Sequence, residues 1–253
     1  MIHACLNGDR PPGAHPPIPV TPDELARSAA SCVAAGAGMV HVHPRDEHGR
    51  ESLAARHVVE TVTAIRALTP GLRVSVTTRD GIVNGPRAKL AEVSAWPSPD
   101  LGGPDCASVN WHEEGALDIA TALREKGIGV EAGIWSPRAT IAFVSTNWPW
   151  QVERVLIEVI PGQTPGSEGT WAAERILAAL GMTPAPLLVH GEDAWTWPVL
   201  RWAQASGFDV RIGLEDTRYL PDGSIAHGNS ELVRVATESE PGAPSQWPVP
   251  DPL

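Results

Sequence analysis

The 253-residue chain carries a net charge of −11 at pH 7 and a sequence pI near 5.2. An acidic field of that size repels phosphate, which argues against nucleic acid or acidic membrane surfaces as partners and for a small-molecule ligand. No run approaches the roughly 18 apolar residues of a membrane-spanning helix, the N-terminus has no leader pattern, and Cys5, Cys32 and Cys106 form no CxxC pair. These features predict a soluble, cytoplasmic protein with reduced core thiols.

Strand and helix patterns alternate almost from end to end, the signature of a parallel sheet with crossover helices. Strands are predicted over 2–7, 39–43, 73–78, 106–110, 128–135, 155–160, 186–190 and 208–214. A helix is expected over 22–35, with Thr21 as N-cap, Glu24 three residues on, and Leu25, Ala29, Cys32 and Val33 on one face. A second runs over 57–68, where Val58, Val62, Ile65 and Leu68 keep helical spacing. The third (86–94) and fifth (138–147) crossovers carry weak helical patterns. Eight βα units without a composition break, and no GxGxxG after the first strand, favour a closed (β/α)8 barrel over an open dinucleotide-binding sheet. The barrel is placed at 1–237, followed by a Pro-rich tail over 238–253, read as a free end or an arm against a neighbouring subunit.

In such a barrel the residues ending the strands face the active-site mouth. His41 and His43, two apart on the second strand, leave the same face and can converge on one ion. An HxH pair also arises in ordinary core packing; its place at a strand end is what points to a metal. Glu215, after the eighth strand, supplies a third ligand and leaves positions for water or substrate. Asp216 points elsewhere and is free to act as a base or to orient Arg211, for which a structural ion pair is the alternative. Thr77 and Ser108 offer hydroxyls to an oxyanion. Asn7, Arg10 and Asn110 stand where substrate would be met, and Trp111 and Trp135 where they could line the site. The stretch 160–166 could present backbone amides to an anion or form a plain turn.

Taken together, HPPIPVTPDE (15–24), AGAGMVHVHPRD (35–46), the strand ending Thr77-Thr78, HGEDAWTWPVL (190–200) and VRIGLEDTRYLPDG (210–223) resemble the β-keto acid cleavage enzymes. The resemblance spans about 2–235. It implies a (β/α)8 barrel with one zinc ion on His41, His43 and Glu215. It implies a reaction in which a β-keto acid and acetyl-CoA as co-substrate become acetoacetate and a new acyl-CoA. It makes Asp216 the general base, positioned by Arg211 and Thr77, and gives Ser108 a substrate contact. Two positions depart from the family pattern: Arg10 replaces a glutamate that receives a substrate ammonium, and Gly133 replaces a second acid. Arg10 is thereby expected to select a neutral polar or anionic β-keto acid. A homo-oligomer, dimer or tetramer, is expected.

Two other functions fit parts of the sequence. A metal-dependent hydrolase would use the same zinc to activate water, but such barrels carry HxH on the first strand and further histidines from middle strands; here His190 is the one later candidate. A non-catalytic ligand-sensing barrel would not need His41, His43, Glu215 and Asp216 together.

Overall fold

The computed structural model of the chain describes residues 1–13, 15, 17–148, 151–164, 166 and 168–238. Parallel strands β1 (Ile2–Cys5), β2 (Met39–Val42), β3 (Arg73–Thr77), β4 (Cys106–Asn110), β5 (Gly129–Ile134), β6 (Arg154–Val159), β7 (Leu187–Gly191) and β8 (Asp209–Ile212) pair in that order. β8 returns to β1, so the sheet is a closed barrel. The helices are α1 (Pro22–Ala34), α2 (Ala55–Leu68), α3 (Gly85–Ser94), α4 (Ala116–Glu125), α5 (Pro137–Val144), α6 (Gly169–Leu180), α7 (Thr196–Ala205) and α8 (Asn229–Glu238). The weakly patterned third and fifth crossovers are both helical. The predicted tail at 238–253 lies outside the described residues apart from Glu238, which ends α8.

Local chemistry accounts for α1. The Thr21 hydroxyl accepts from the Glu24 amide at 3.3 Å, and the Glu24 carboxylate accepts from the Thr21 amide at 2.9 Å, a reciprocal capping box. Leu25, Ala26, Ala29 and Cys32 form the buried face of α1, and Val58, Val62 and Ile65 that of α2. All three cysteines are buried and unbridged.

The strands divide their residues sharply by face. Val40 and Val42, Val74 and Val76, Val130 and Ala132, Ile157 and Val159 join the apolar layer beneath the helices. Their alternate neighbours are His41, Ser75, Glu131 and Glu158, all buried. Period-two alternation therefore places the polar set inside the barrel, where branched aliphatic residues ordinarily dominate.

Several strands stop short of their predicted ends because the chain leaves the ladder to build the mouth. At β8 the cause is Gly213: a Cβ there would stand 1.9 Å from the Cys5 carbonyl oxygen. Only glycine permits β8 to lie so close against β1. The Asp216 and Thr217 amides then close on Gly213 O, each at 3.0 Å, in a tight turn that presents Glu215 and Asp216.

Replacing Thr21 by alanine removes one half of the capping box and is expected to cost about 1 kcal/mol. Urea unfolding should show a lower midpoint at unchanged slope; an unchanged midpoint would contradict the capping role.

Candidate active site

The carboxyl ends of the strands open into a cavity of about 290 Å³. On its wall one ligand atom from each of His41, His43 and Glu215 lies within 4.8 Å of the other two. The histidines come from the end of β2, and the glutamate from the turn after Gly213. Glu215 Oε1 stands 3.4 Å from His43 Nε2, while Glu215 Oε2 is buried with no hydrogen-bond partner.

Each imidazole is braced through its other nitrogen. His43 Nδ1 lies 2.6 Å from Glu51 Oε1, and because an ionised carboxylate only accepts, that nitrogen carries a proton and Nε2 is the nitrogen turned toward Glu215. His41 Nδ1 lies 3.0 Å from the Ser75 hydroxyl. Glu51 is itself clamped by the Arg79 guanidinium, and although burial pushes its carboxyl up, His43 and Arg79 bring it down to about 2. This histidine–carboxylate pairing is what orients metal ligands in other proteins. Two imidazoles each held at Nδ1, a carboxylate oxygen left orphaned in the interior and a facing cavity together fit one divalent cation.

The electrostatics agree. Burial drives His41 well below the usual histidine range and keeps it neutral. Burial works the same way on His43, yet Glu215 and Glu51 overcome it and hold that imidazole at about 8. Glu215, pushed up by burial, is held well below the usual carboxylate range by Arg211, His43 and His41. Arg211 Nη2 contacts Glu215 Oε1 and lies 3.2 Å from Asp216 Oδ1. Arg211 is thus ion-paired with both carboxylates, the contact that the structural alternative expects.

The remaining predicted residues separate into two groups. Thr77, Ser108, Asn110, Arg10, Arg211 and Trp135 line the cavity. Asp216 is fully buried behind that wall, with Oδ2 unpartnered and Oδ1 3.4 Å from His190 Nδ1. Asn7 is not on the wall either: its amide exchanges hydrogen bonds with the His43 backbone at 2.8 and 2.9 Å and fixes the end of β2. Arg10 bonds the carbonyls of Glu215 and Asp216 and pairs with Asp193, so it straps the β8 turn while facing the cavity. Trp111 does not line the site; it stacks edge-on with Phe143 and Trp148 in the core. In the 160–166 stretch the Gln163 and Thr164 amides both bond Ile160 O, so they close a turn; Pro165 lies outside the described residues.

Sequence reasoning passed over Glu51, Ser75 and the Glu158–Glu192 pair. Glu192 is pushed up to about 10, chiefly by burial and then by the neighbouring Glu158 charge. Periodicity marks Glu158 and Ser75 as inward-facing residues of β6 and β3. Nothing local marks Glu51, which reaches His43 from a loop closed by the Arg45–Glu51 bridge. His190 is buried, 3.8 Å from Glu158 Oε1, and among the described residues it stands outside the His41, His43 and Glu215 group.

A family profile described as beta-keto acid cleavage enzyme matches residues 1–240. The chain belongs to the β-keto acid cleavage enzyme family. It is 22% identical to the 3-keto-5-aminohexanoate cleavage enzyme of Acetoanaerobium sticklandii, over 98% of this chain and 94% of that protein. It is 25% identical to the 3-dehydrocarnitine:acetyl-CoA trimethylamine transferase of Rhizobium meliloti, over 87% and 82% of the two chains. Among solved structures, ObcA in ternary complex with a C4-CoA adduct and oxalate aligns with a TM-score of 0.70 at 16% identity. That alignment covers 88% of this chain and 64% of ObcA, and the likeness is one of fold. Family membership makes this chain an enzyme of β-keto acid cleavage. Among the described residues no helix is long and apolar enough to cross a membrane.

A cation that binds only the folded chain must stabilise it: at a free concentration 100 times its Kd the gain is about 2.7 kcal/mol. Thermal unfolding with and without added zinc should show that upward shift for the natural chain and lose most of it in Glu215→Gln. An equal shift in both proteins would place the cation elsewhere.

Proposed function

We propose that this chain exchanges the acyl group of a β-keto acid, with acetyl-CoA as co-substrate and one zinc ion on His41, His43 and Glu215, giving acetoacetate and a new acyl-CoA. The observation that carries the reading is the convergence of those three side chains beside an orphaned carboxylate oxygen on the cavity wall. The transferase among the relatives has acetyl-CoA in its name, and the ObcA complex contains a CoA adduct; both support the choice of co-substrate.

A zinc ion held there supplies Lewis acidity toward the keto group of the substrate and so acidifies the carbon between keto group and carboxylate. Arg211, charged and on the wall, is placed to engage the substrate carboxylate. That engagement draws Arg211 away from Asp216, which in this structure stands behind the wall, and frees its carboxylate as the base. Asp216 takes the proton from the acidified carbon. The carbanion attacks the acetyl-CoA carbonyl and expels CoA thiolate. The thiolate adds to the former keto carbonyl, the adjacent carbon–carbon bond breaks, and Asp216 returns the proton to the departing acetoacetate carbon. Thr77, Ser108 and Asn110 offer hydrogen bonds to the oxygens that become negative. Arg10 adds positive charge at the rim and disfavours an ammonium-bearing substrate. Exposed Ile141, Val144 and Trp171 on α5 and α6 support association of copies, and three unbridged thiols support a reducing compartment.

A panel of β-keto acids incubated with acetyl-CoA tests the reaction, with acetoacetate and acyl-CoA followed separately. Equal amounts of both products are expected, falling to background in Glu215→Ala and in reactions without acetyl-CoA. β-Keto acid consumed at the same rate without acetyl-CoA would sink the exchange and favour hydrolysis.

A further inference from the structure

The interior of the barrel beneath the cavity holds charge that contact with substrate does not explain. Glu131 on β5 is 2% exposed, Arg154 on β6 is 6% exposed and Ser75 on β3 is fully buried. Neither Ser75 nor Glu131 lines the cavity. Strand register sets them in a row: His41 lies beside Ser75 across β2 and β3, and Glu131 beside Arg154 across β5 and β6. The Ser75 hydroxyl donates a short hydrogen bond to Glu131 Oε2 and lies 3.0 Å from His41 Nδ1. Arg154 Nε stands 3.0 Å from Glu131 Oε1, an ion-pair contact off the N–H axis.

A hydroxyl has one proton to give. If Glu131 receives it, the Ser75 oxygen can only accept from His41, so His41 Nδ1 carries hydrogen and Nε2 keeps its lone pair. If the proton went to His41 instead, the imidazole would hold its hydrogen on Nε2 and lose the ligand atom that faces Glu215 and the cavity. The direction of one buried hydrogen bond therefore decides whether His41 can be a ligand. Burial holds the Glu131 carboxyl above its usual range, and Ser75 and the Arg154 charge offset only part of that. Ser75 meets His41 at Nδ1, so the row bears on which ring nitrogen holds the hydrogen.

We infer that Ser75 and Glu131, with Arg154 as counter-charge, are positioning residues that set the metal-binding tautomer of His41 from inside the barrel. The inference rests on the metal reading above. It makes the two histidines alike in logic: each has an acidic group that orients it, Glu51 directly for His43 and Glu131 through a hydroxyl for His41.

The test is zinc affinity by chelator competition on the full chain, together with imidazole 15N shifts of His41 in the zinc-free chain. Ser75→Ala is expected to weaken zinc about 10- to 100-fold and to shift His41 from the Nδ1–H form toward the Nε2–H form. Ser75→Thr, which keeps the hydroxyl, is expected to restore both. Glu131→Gln, whose amide can donate as well as accept, serves as a second variant and should also weaken zinc and mix the tautomers. Affinities of Ser75→Ala or Glu131→Gln equal to the natural chain, or a Ser75→Thr as weak as Ser75→Ala, would overturn the inference. Failure of the natural chain to bind zinc at all would instead overturn the metal reading on which it stands.

Discussion

A carboxylate buried between two imidazoles and a guanidinium governs the chemistry of this barrel. Glu215 cannot keep its charge in the interior without compensation: removing one partner from a buried ion pair costs about 3–5 kcal/mol. Arg211 supplies one compensating charge, and Glu215 together with Glu51 draws His43 up to about 8 against its burial, a pull that favours further positive charge beside the carboxylate. A divalent cation satisfies that demand and the orphaned Oε2 together. Gly213 makes the arrangement possible, because its missing side chain lets β8 lie against β1 and turn Glu215 back toward the histidines.

The same need for compensation runs through the barrel interior. Arg154 with Glu131, Arg79 with Glu51 and Arg211 with Asp216 are charges that an aliphatic filling would have made unnecessary. Replacing such pairs by well-packed apolar residues is often neutral or stabilising, so they are poorly explained as sources of stability alone. Their common property is that they lead to a proposed metal ligand or to the proposed base, Glu131 by way of Ser75. Glu131, Arg154 and Arg211 stand on strands, whereas Glu51, Arg79 and Asp216 come from the loops and turn at the strand ends.

The barrel was legible in the sequence because strand and helix patterns alternate through eight units with no composition break. His41, His43 and Glu215 were legible as strand-end residues of metal-binding types, and the family motifs bound them into one set. Asn7 was misplaced because a strand-end amide looks the same in sequence whether it turns to substrate or braces the neighbouring strand; its bonds to the His43 backbone are long-range facts. Trp111 failed for a similar reason: the apolar cluster with Phe143 and Trp148 forms only after α5 packs. Glu51 and Ser75 act through other side chains, across β3 or from a loop, and no spacing rule in one chain reports such contacts. Asp216 was legible as a residue of interest, but its position behind the wall was not.

X-ray absorption at the zinc edge on the purified chain, with one equivalent of metal, tests the central claim most directly. Two imidazole nitrogens at about 2.0–2.1 Å and a carboxylate oxygen at about 2.0–2.2 Å are the expected first shell, with the nitrogen count falling by one in His43→Ala. Sulfur scattering from a cysteine, or a first shell unchanged in His43→Ala, would contradict it.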